Sequence, residues 1–338
     1  MSNIANDLSS KGYDCILATT FRVDEEYALA DKVKRVSFYN EKPSGNWLCK
    51  NYKIARKLRE LVVKDQPDIL VSFLAEPCYR SAIATIRTNT RTVLSVRNDP
   101  NWEFRGLLRS FFAKCLFKRV DGIVFQTEDA KAWFPKSIQD KGVIISNSVK
   151  NDFYTVNLPD CRSGIVATGR LSKQKNHSLL IKAFAKIANQ INDNLTIYGS
   201  GDTTQLQELA EQLGIRDRVS LPGQTMDVIN TIKSARLYVM SSDFEGMPNA
   251  LMEAMAMGLP CISTDCPCGG PRALFDMNMD HFLTPVGDVN VLSERMLEIL
   301  TDNKLLDEHG KKCKEAAKAF TPEVINKEWE DFLLNVLN

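Results

Sequence analysis

The chain has 338 residues, which at about 150 residues per domain allows roughly two domains. Hydrophobic residues make up 44% and charged residues 25%, and 43 Lys plus Arg against 42 Asp plus Glu leave a net charge of +1. This is the composition of a soluble globular protein. It argues against a nucleic-acid partner held by a molecule-wide field, leaves a local basic patch open, and contains no apolar run of the about 18 residues a membrane span needs. Residues 1–7 (MSNIAND) lack the basic-then-apolar order of a signal peptide. The nine cysteines are scattered and odd in number, which points away from a disulfide framework and toward a reducing, cytoplasmic compartment.

Short β-branched runs alternate with longer helical patterns, so the sequence predicts an α/β architecture with parallel sheets. Residues 2–12 (SNIANDLSSKG) read as a helix with Ile4 and Leu8 on one face and Gly12 as its stop. A doubly wound domain opens on a strand and a glycine turn before such a helix, so we expect the first strand to be missing and the true start of the gene to lie upstream. Strands are predicted at 14–19, 35–38, 68–73, 92–96, 122–125 and 143–145, each apolar with little alternation, as buried parallel strands are. Leu48, Ile54, Leu58, Leu61 and Val62 recur at helical spacing over 47–63.

Residues 147–163 (NSVKNDFYTVNLPDCRS) show no periodicity and read as a linker. The alternation then restarts: strand 164–168, helix 178–188, strand 194–198, helix 205–213, a short strand at Val219, helix 227–234, strand 236–240, helix 248–257 and strand 261–264. A final helix, 322–337, carries Trp329, Phe332, Leu333 and Val336; this apolar face needs cover, and we expect it to cross back onto the first domain. The expected domains are therefore 1–150, 151–320 and a returning helix over 321–338.

Three loops carry chemistry. In EGMPNALME (245–253), Pro248 suits a first helical turn and Gly258 the stop, so Glu245 falls in the loop after strand 236–240 and Glu253 inside the helix. Such a loop faces the crevice at the carboxyl ends of the strands, and the helix start offers N–H groups to an anion. A carboxylate on each side suits sugar hydroxyls, although two surface glutamates flanking a cap would look the same. GRLSKQKN (169–176) follows a strand, and Arg170 with Lys175 suits a diphosphate, or else a solvated turn. Gly199 and Gly201, in YGSGD (198–202), permit close backbone approach, but the dinucleotide fingerprint lacks its third glycine.

In this order the three pieces resemble retaining glycosyltransferases of family four. STDCPCGGPR (263–272) and Arg97-Asn98-Asp99-Pro100 resemble the branch serving bacterial capsule, lipopolysaccharide and lipid-linked oligosaccharides. The resemblance implies a GT-B fold, two Rossmann-like domains facing a central cleft, with an N-terminal acceptor domain and a C-terminal nucleotide-sugar domain. It implies that Arg170 and Lys175 hold the donor diphosphate, that Glu245 contacts the transferred sugar, and that Glu253 binds the ribose hydroxyls. Gly199, Gly201, Gly223, Gln224, Gly246, Met247, Pro248 and Asn249 would line the donor, and Arg97, Asn98 and Asp99 the acceptor side. Arg97 stands where many members carry a histidine, and an arginine does not act as a base at neutral pH.

The implied activity is transfer of a hexose or N-acetylhexosamine from a UDP-sugar to a lipid-linked glycan, with retention, in cell-surface polysaccharide biosynthesis. No Asp-x-Asp pair occurs, so neither a cofactor nor a divalent metal is expected. A non-transferring scaffold relative and a sugar-nucleotide epimerase are the rival readings; the epimerase needs acid–base side chains that a first half without histidine does not offer. Cys266-Pro-Cys268, near Cys261, resembles half a metal site without its complement, and His177 reads as shaping a helix start. FRGLLRSFFAKCLFKR (104–119) mixes Leu and Phe with five cations. A core-packed helix with a cationic outer face is the plainer explanation; a contact with the cytoplasmic membrane surface is the other, and the two are compatible.

Overall fold

A computed structural model describes residues 1–22, 28–275 and 279–338. They form two units, Met1–Ser146 with Pro322–Asn338, and Asn147–Thr321.

In the first unit the helix Ser2–Ser10 precedes β1 (Ile16–Phe21), which pairs in parallel with β2 (Lys34–Tyr39). A separate parallel sheet runs in the order β3 (Ile69–Phe73), β4 (Arg91–Ser95), β5 (Gly122–Phe125) and β6 (Gly142–Ile144). Strands β4 and β5 are buried apart from Arg91, as their runs Val93-Leu94 and Ile123-Val124-Phe125 require on a sheet covered on both faces. Among the described residues β1 and β3 share no sheet, and Ile69, Leu70 and Val71 stay half-buried. The doubly wound order puts its first strand at this break between the two sheets. The helix Trp47–Asp65 spans it from one face, packing Leu58 and Val62 against Phe38 of β2 and Leu70 of β3.

The last helix, Pro322–Leu337, lies in this unit, with Trp329 fully buried and its ring 5.3 Å from that of Phe73. Gly122 makes room for it, since a Cβ there would sit 2.7 Å from Phe332 Cζ. Glu330 closes the contact, accepting from Lys11 Nζ at 2.7 Å and Tyr13 Oη at 3.2 Å.

The second unit holds β7 (Ile165–Thr168), β8 (Leu195–Tyr198), β9 (Val219–Gly223), β10 (Leu237–Met240), β11 (Cys261–Thr264) and β12 (Leu283–Thr284). All pair in parallel, in the order β9-β8-β7-β10-β11-β12. The order reverses between β7 and β10, and an open α/β sheet binds ligands at such a switch point, outside the carboxyl ends of its strands. The stretch read as a linker contains one helical turn, Asn151–Tyr154, with Phe153 buried and Tyr154 Oη donating to Ala317 O at 2.8 Å. Four residues are too few to display a period.

Candidate active site

The loops leaving β7 and β10 sit side by side at the switch point and are sewn together by their own polar groups. Asp243 N donates to Gln174 O at 2.8 Å, and Gln174 Nε2 returns to Phe244 O at 2.9 Å. Asn176 Nδ2 donates to Asp243 Oδ1 at 2.6 Å, while Asn176 Oδ1 caps the helix His177–Ile187 by accepting from Leu179 N. Ser241 Oγ donates to the carbonyls of Lys175 and Asn176 at 3.2 and 3.1 Å. Gln174 and Asn176 lie inside the GRLSKQKN loop but were given no role there, and Ser241 and Asp243 show in the sequence only as a polar cluster directly after an apolar strand.

This seam brings Lys175 and Glu245 together. Lys175 Nζ lies 2.7 Å from Glu245 Oε1, and both side chains are largely buried. Ser242 Oγ donates to the same carboxylate oxygen at 2.8 Å, so the carboxylate is oriented from two sides. Arg170, five residues before Lys175, is exposed and makes no ion pair among the described residues. A cation fixed by a neighbour and an exposed one in the same loop make a pair suited to an anion.

The helix Asn249–Met257 begins at Pro248 and ends on Gly258 in the left-handed region, φ 88°. No side chain caps its N-terminus, so its first N–H groups stay open to an acceptor. Met247 and Pro248 are buried, and Asn147 Nδ2 fixes the turn by donating to Met247 O at 3.2 Å and Asn249 Oδ1 at 2.6 Å. Glu253 sits one turn further on, half-buried, and burial pushes its carboxyl up to about 7 although Lys150 pulls the other way.

Gly199 and Gly201 do allow a close approach, but to the neighbouring loop. A Cβ on Gly199 would lie 1.8 Å from Gly169 O, and one on Gly201 would lie 2.8 Å from Leu171 Cβ. Gly246 likewise has its carbonyl oxygen 1.6 Å from where a Cβ on Gly270 would fall. Gly223 (φ +93°) and exposed Gln224 end β9 at the same carboxyl edge, with open space around Gly223. His177 is buried against Gly169 O at 3.4 Å, and burial lowers it to about 4. Cys266 and Cys268 are buried, and among the described residues no three potential metal ligands converge.

In the first unit Arg97 follows β4, its guanidinium 5.2 Å from the Phe73 ring centre and donating to Ser95 Oγ and Ile145 O at 3.4 Å. Burial lowers Arg97 to about 10, opposed by the charge of Glu103. Glu103, which the sequence reading passed over, is itself pushed up to about 7 by burial while accepting from Ala75 N at 2.7 Å. Asn98 accepts from Asp99 N, and Asp99 is buried as the cap of Pro100–Glu103, accepting from Asn101 N at 2.9 Å. Both side chains help to shape the turn that follows Arg97. A cavity of about 410 Å³ lies nearby, lined by Thr20, Lys50, Leu74, Glu76, Arg80 and Glu103.

A parallel α/β sheet with cations and carboxylates gathered at its switch point belongs to the class of open α/β folds that bind a ligand there. Comparison with known proteins narrows it. Residues 151–320 match the family "Glycosyl transferases group 1", and residues 1–127 match "Glycosyl transferase 4-like". The chain belongs to this glycosyltransferase family. It is 27% identical to an uncharacterized glycosyltransferase of Haemophilus influenzae, over 98% of this chain and 94% of that protein. It is 28% identical, over 87% of this chain and 84% of the relative, to a Campylobacter jejuni enzyme named as adding N-acetylgalactosamine to a diphospho-undecaprenol-linked acceptor. HepE of Anabaena, solved with UDP and glucose, superposes with a TM-score of 0.81 at 17% identity, covering 98% of this chain and 94% of that one. Sucrose-phosphate synthase of Thermosynechococcus elongatus gives 0.83 at 18%, over 98% and 91%. The fold is GT-B.

Proposed function

We propose that the chain transfers a hexose or N-acetylhexosamine from a UDP-sugar to a lipid-linked glycan, with retention, in the building of a cell-surface polysaccharide. The observation that carries this reading is the pairing of Lys175 with Glu245, next to an exposed Arg170 and a helix N-terminus that, among the described residues, have no ion-pair partner and no side-chain cap. Departure of UDP places negative charge on its outer phosphate. Lys175, Arg170 and the first N–H groups of Asn249–Met257 receive that charge without reorganising, which is the largest source of rate such a site can supply. Glu245, already oriented by Ser242, accepts hydrogen bonds from the sugar being transferred, and Glu253 accepts them from the ribose.

The residue set supports a departing phosphate that takes the acceptor's proton, so no separate base is assigned. It also supports transfer without a divalent cation, the phosphate charge being met by Arg170 and Lys175. The acceptor side is assigned to the first unit, with Arg97 acting by charge and not as a base. The diphospho-undecaprenol acceptor in the name of the Campylobacter relative supports a lipid carrier here.

The test incubates the purified chain with a panel of UDP- and other nucleotide-sugars, with and without a diphosphate-linked glycolipid and with a chelator, and follows nucleotide release and product anomer. UDP release dependent on one donor, stimulated by glycolipid and unaffected by chelator, with an α-linkage from an α-donor, is the expected result. An inverted product overturns the retaining mechanism. Nucleotide binding without release on any donor favours a scaffold.

A further inference from the structure

We propose that the helix Leu107–Leu116 and its flanks seat the protein on the surface of an anionic phospholipid bilayer. The lipid-linked acceptor above gives this seat its purpose; its evidence is separate. The plainer sequence reading put the apolar side chains of 104–119 in the core, and the structure leaves four of them outside. Leu107 is 92% exposed, Leu108 74%, Phe111 61% and Phe112 41%, while only the opposite face, with Ala113 and Phe117, is buried. The exposed four recur at i, i+1, i+4 and i+5, which makes one continuous stripe along the helix. Scattered exposed apolar residues are ordinary; a stripe of four large ones marks an interaction surface.

Charge selects the occupant. Residues 104–119 hold Arg105, Arg109, Lys114, Lys118 and Arg119 and no acidic residue, although the whole chain is balanced to +1. Three of these cations lie over indole rings, Arg105 on exposed Trp102, Arg109 on Trp47 and Lys114 on Trp133, at 5.4, 5.4 and 4.6 Å. Beyond the helix, Arg119 and Arg87, neither ion-paired among the described residues, line a cavity of about 470 Å³ together with the Arg91–Asp121 ion pair, so the charge left over in its lining is that of two cations, which suits a headgroup phosphate. Two copies joined through this face would set five cations against five. An anionic lipid surface neutralises the cations and takes the apolar stripe into its acyl boundary, the arrangement of an in-plane amphipathic helix with Trp at the interface.

The test sediments the full chain with vesicles of phosphatidylcholine alone and of phosphatidylcholine mixed equally with phosphatidylglycerol. The parent should bind the mixed vesicles at least ~10-fold more tightly, and high salt should weaken that binding. The double variants Leu107→Ser/Phe111→Ser and Lys118→Glu/Arg119→Glu change exposed side chains and should each lose about 10-fold, with UDP release from free donor unchanged. Equal binding to both vesicle types, or variants that bind as the parent does, overturns the proposal. So does a parent that ignores vesicles but forms a dimer that Leu107→Ser/Phe111→Ser dissolves. Vesicle binding with no UDP release on any donor would count against the transferase reading alone, and the reverse result against the membrane seat alone.

Discussion

Glu253 and Glu245 are two carboxylates of one loop-and-helix unit with opposite surroundings. Glu245 has a cation and a hydroxyl on the same oxygen, whereas Glu253 is half-buried, with the charge of Lys150 opposing the effect of burial. With its carboxyl up at about 7, Glu253 in the free protein is half protonated near neutrality. A protonated acid loses acceptor capacity for the ribose hydroxyls, so the apparent KM for the nucleotide-sugar should rise as pH falls through about 7. Glu253→Gln should raise KM at pH 8 with a smaller effect on kcat, and should flatten that pH dependence. The stability sign is the reverse. A folded pKa above the unfolded one stabilises below the unfolded value and is lost as pH rises through the folded value, so Glu253→Gln should stabilise the fold by about 1–3 kcal/mol at pH 8 and by little at pH 4, read from melting temperatures. A KM profile unchanged by Glu253→Gln would remove Glu253 from the donor site.

At the scale of elements, the site is a seam between loops, and its glycines are sized for the seam. Gly199→Ala would drive a methyl into Gly169 O, so it should destabilise the second unit by about 3 kcal/mol or more and abolish nucleotide binding as a consequence. Gly223→Ala meets no atom and suffers only its left-handed φ of +93°, a cost of about 1–2 kcal/mol. Thermal melts of the two variants give that contrast; equal destabilisation would mean the close approach at Gly199 is not what requires glycine. Strands, the helix after Pro248 and the final helix were legible because burial writes itself as apolar runs and periods. The motif residues Arg170, Lys175, Glu245 and Glu253 were legible as chemical types at a sheet edge. The seam was not, because Gln174, Asn176, Ser241 and Asp243 bond across about 70 residues and leave no local period. Glu103 stayed hidden for the same reason, its neighbour Ala75 being 28 residues away.

Across the whole molecule, one chain builds the second unit between the two pieces of the first. The final helix is thus an internal part of the first unit, and Trp329 anchors it against Phe73. Trp329→Ala should cost about 3–5 kcal/mol and lower the melting transition of the first unit while leaving that of the second in place. Trp329→Phe should cost far less, because it also removes an indole N–H that finds no partner among the described residues. A single calorimetric transition shifted by both variants alike would contradict this division. The expected returning helix followed from an apolar face that needed cover; among the described residues β1 and β3 share no sheet.

In the proposed transfer, Lys175 and Arg170 meet the charge that develops as the donor phosphate departs. The most direct measurement of this is single-turnover UDP release from the cognate nucleotide-sugar by the parent, Lys175→Ala and Arg170→Ala, with circular dichroism as the check that each stays folded. Loss of one preorganised electrostatic partner predicts a fall of about 10²–10³ in the rate for each variant, with donor affinity changed much less. Parental rates in both folded variants would contradict the diphosphate site, and with it the catalytic assignment.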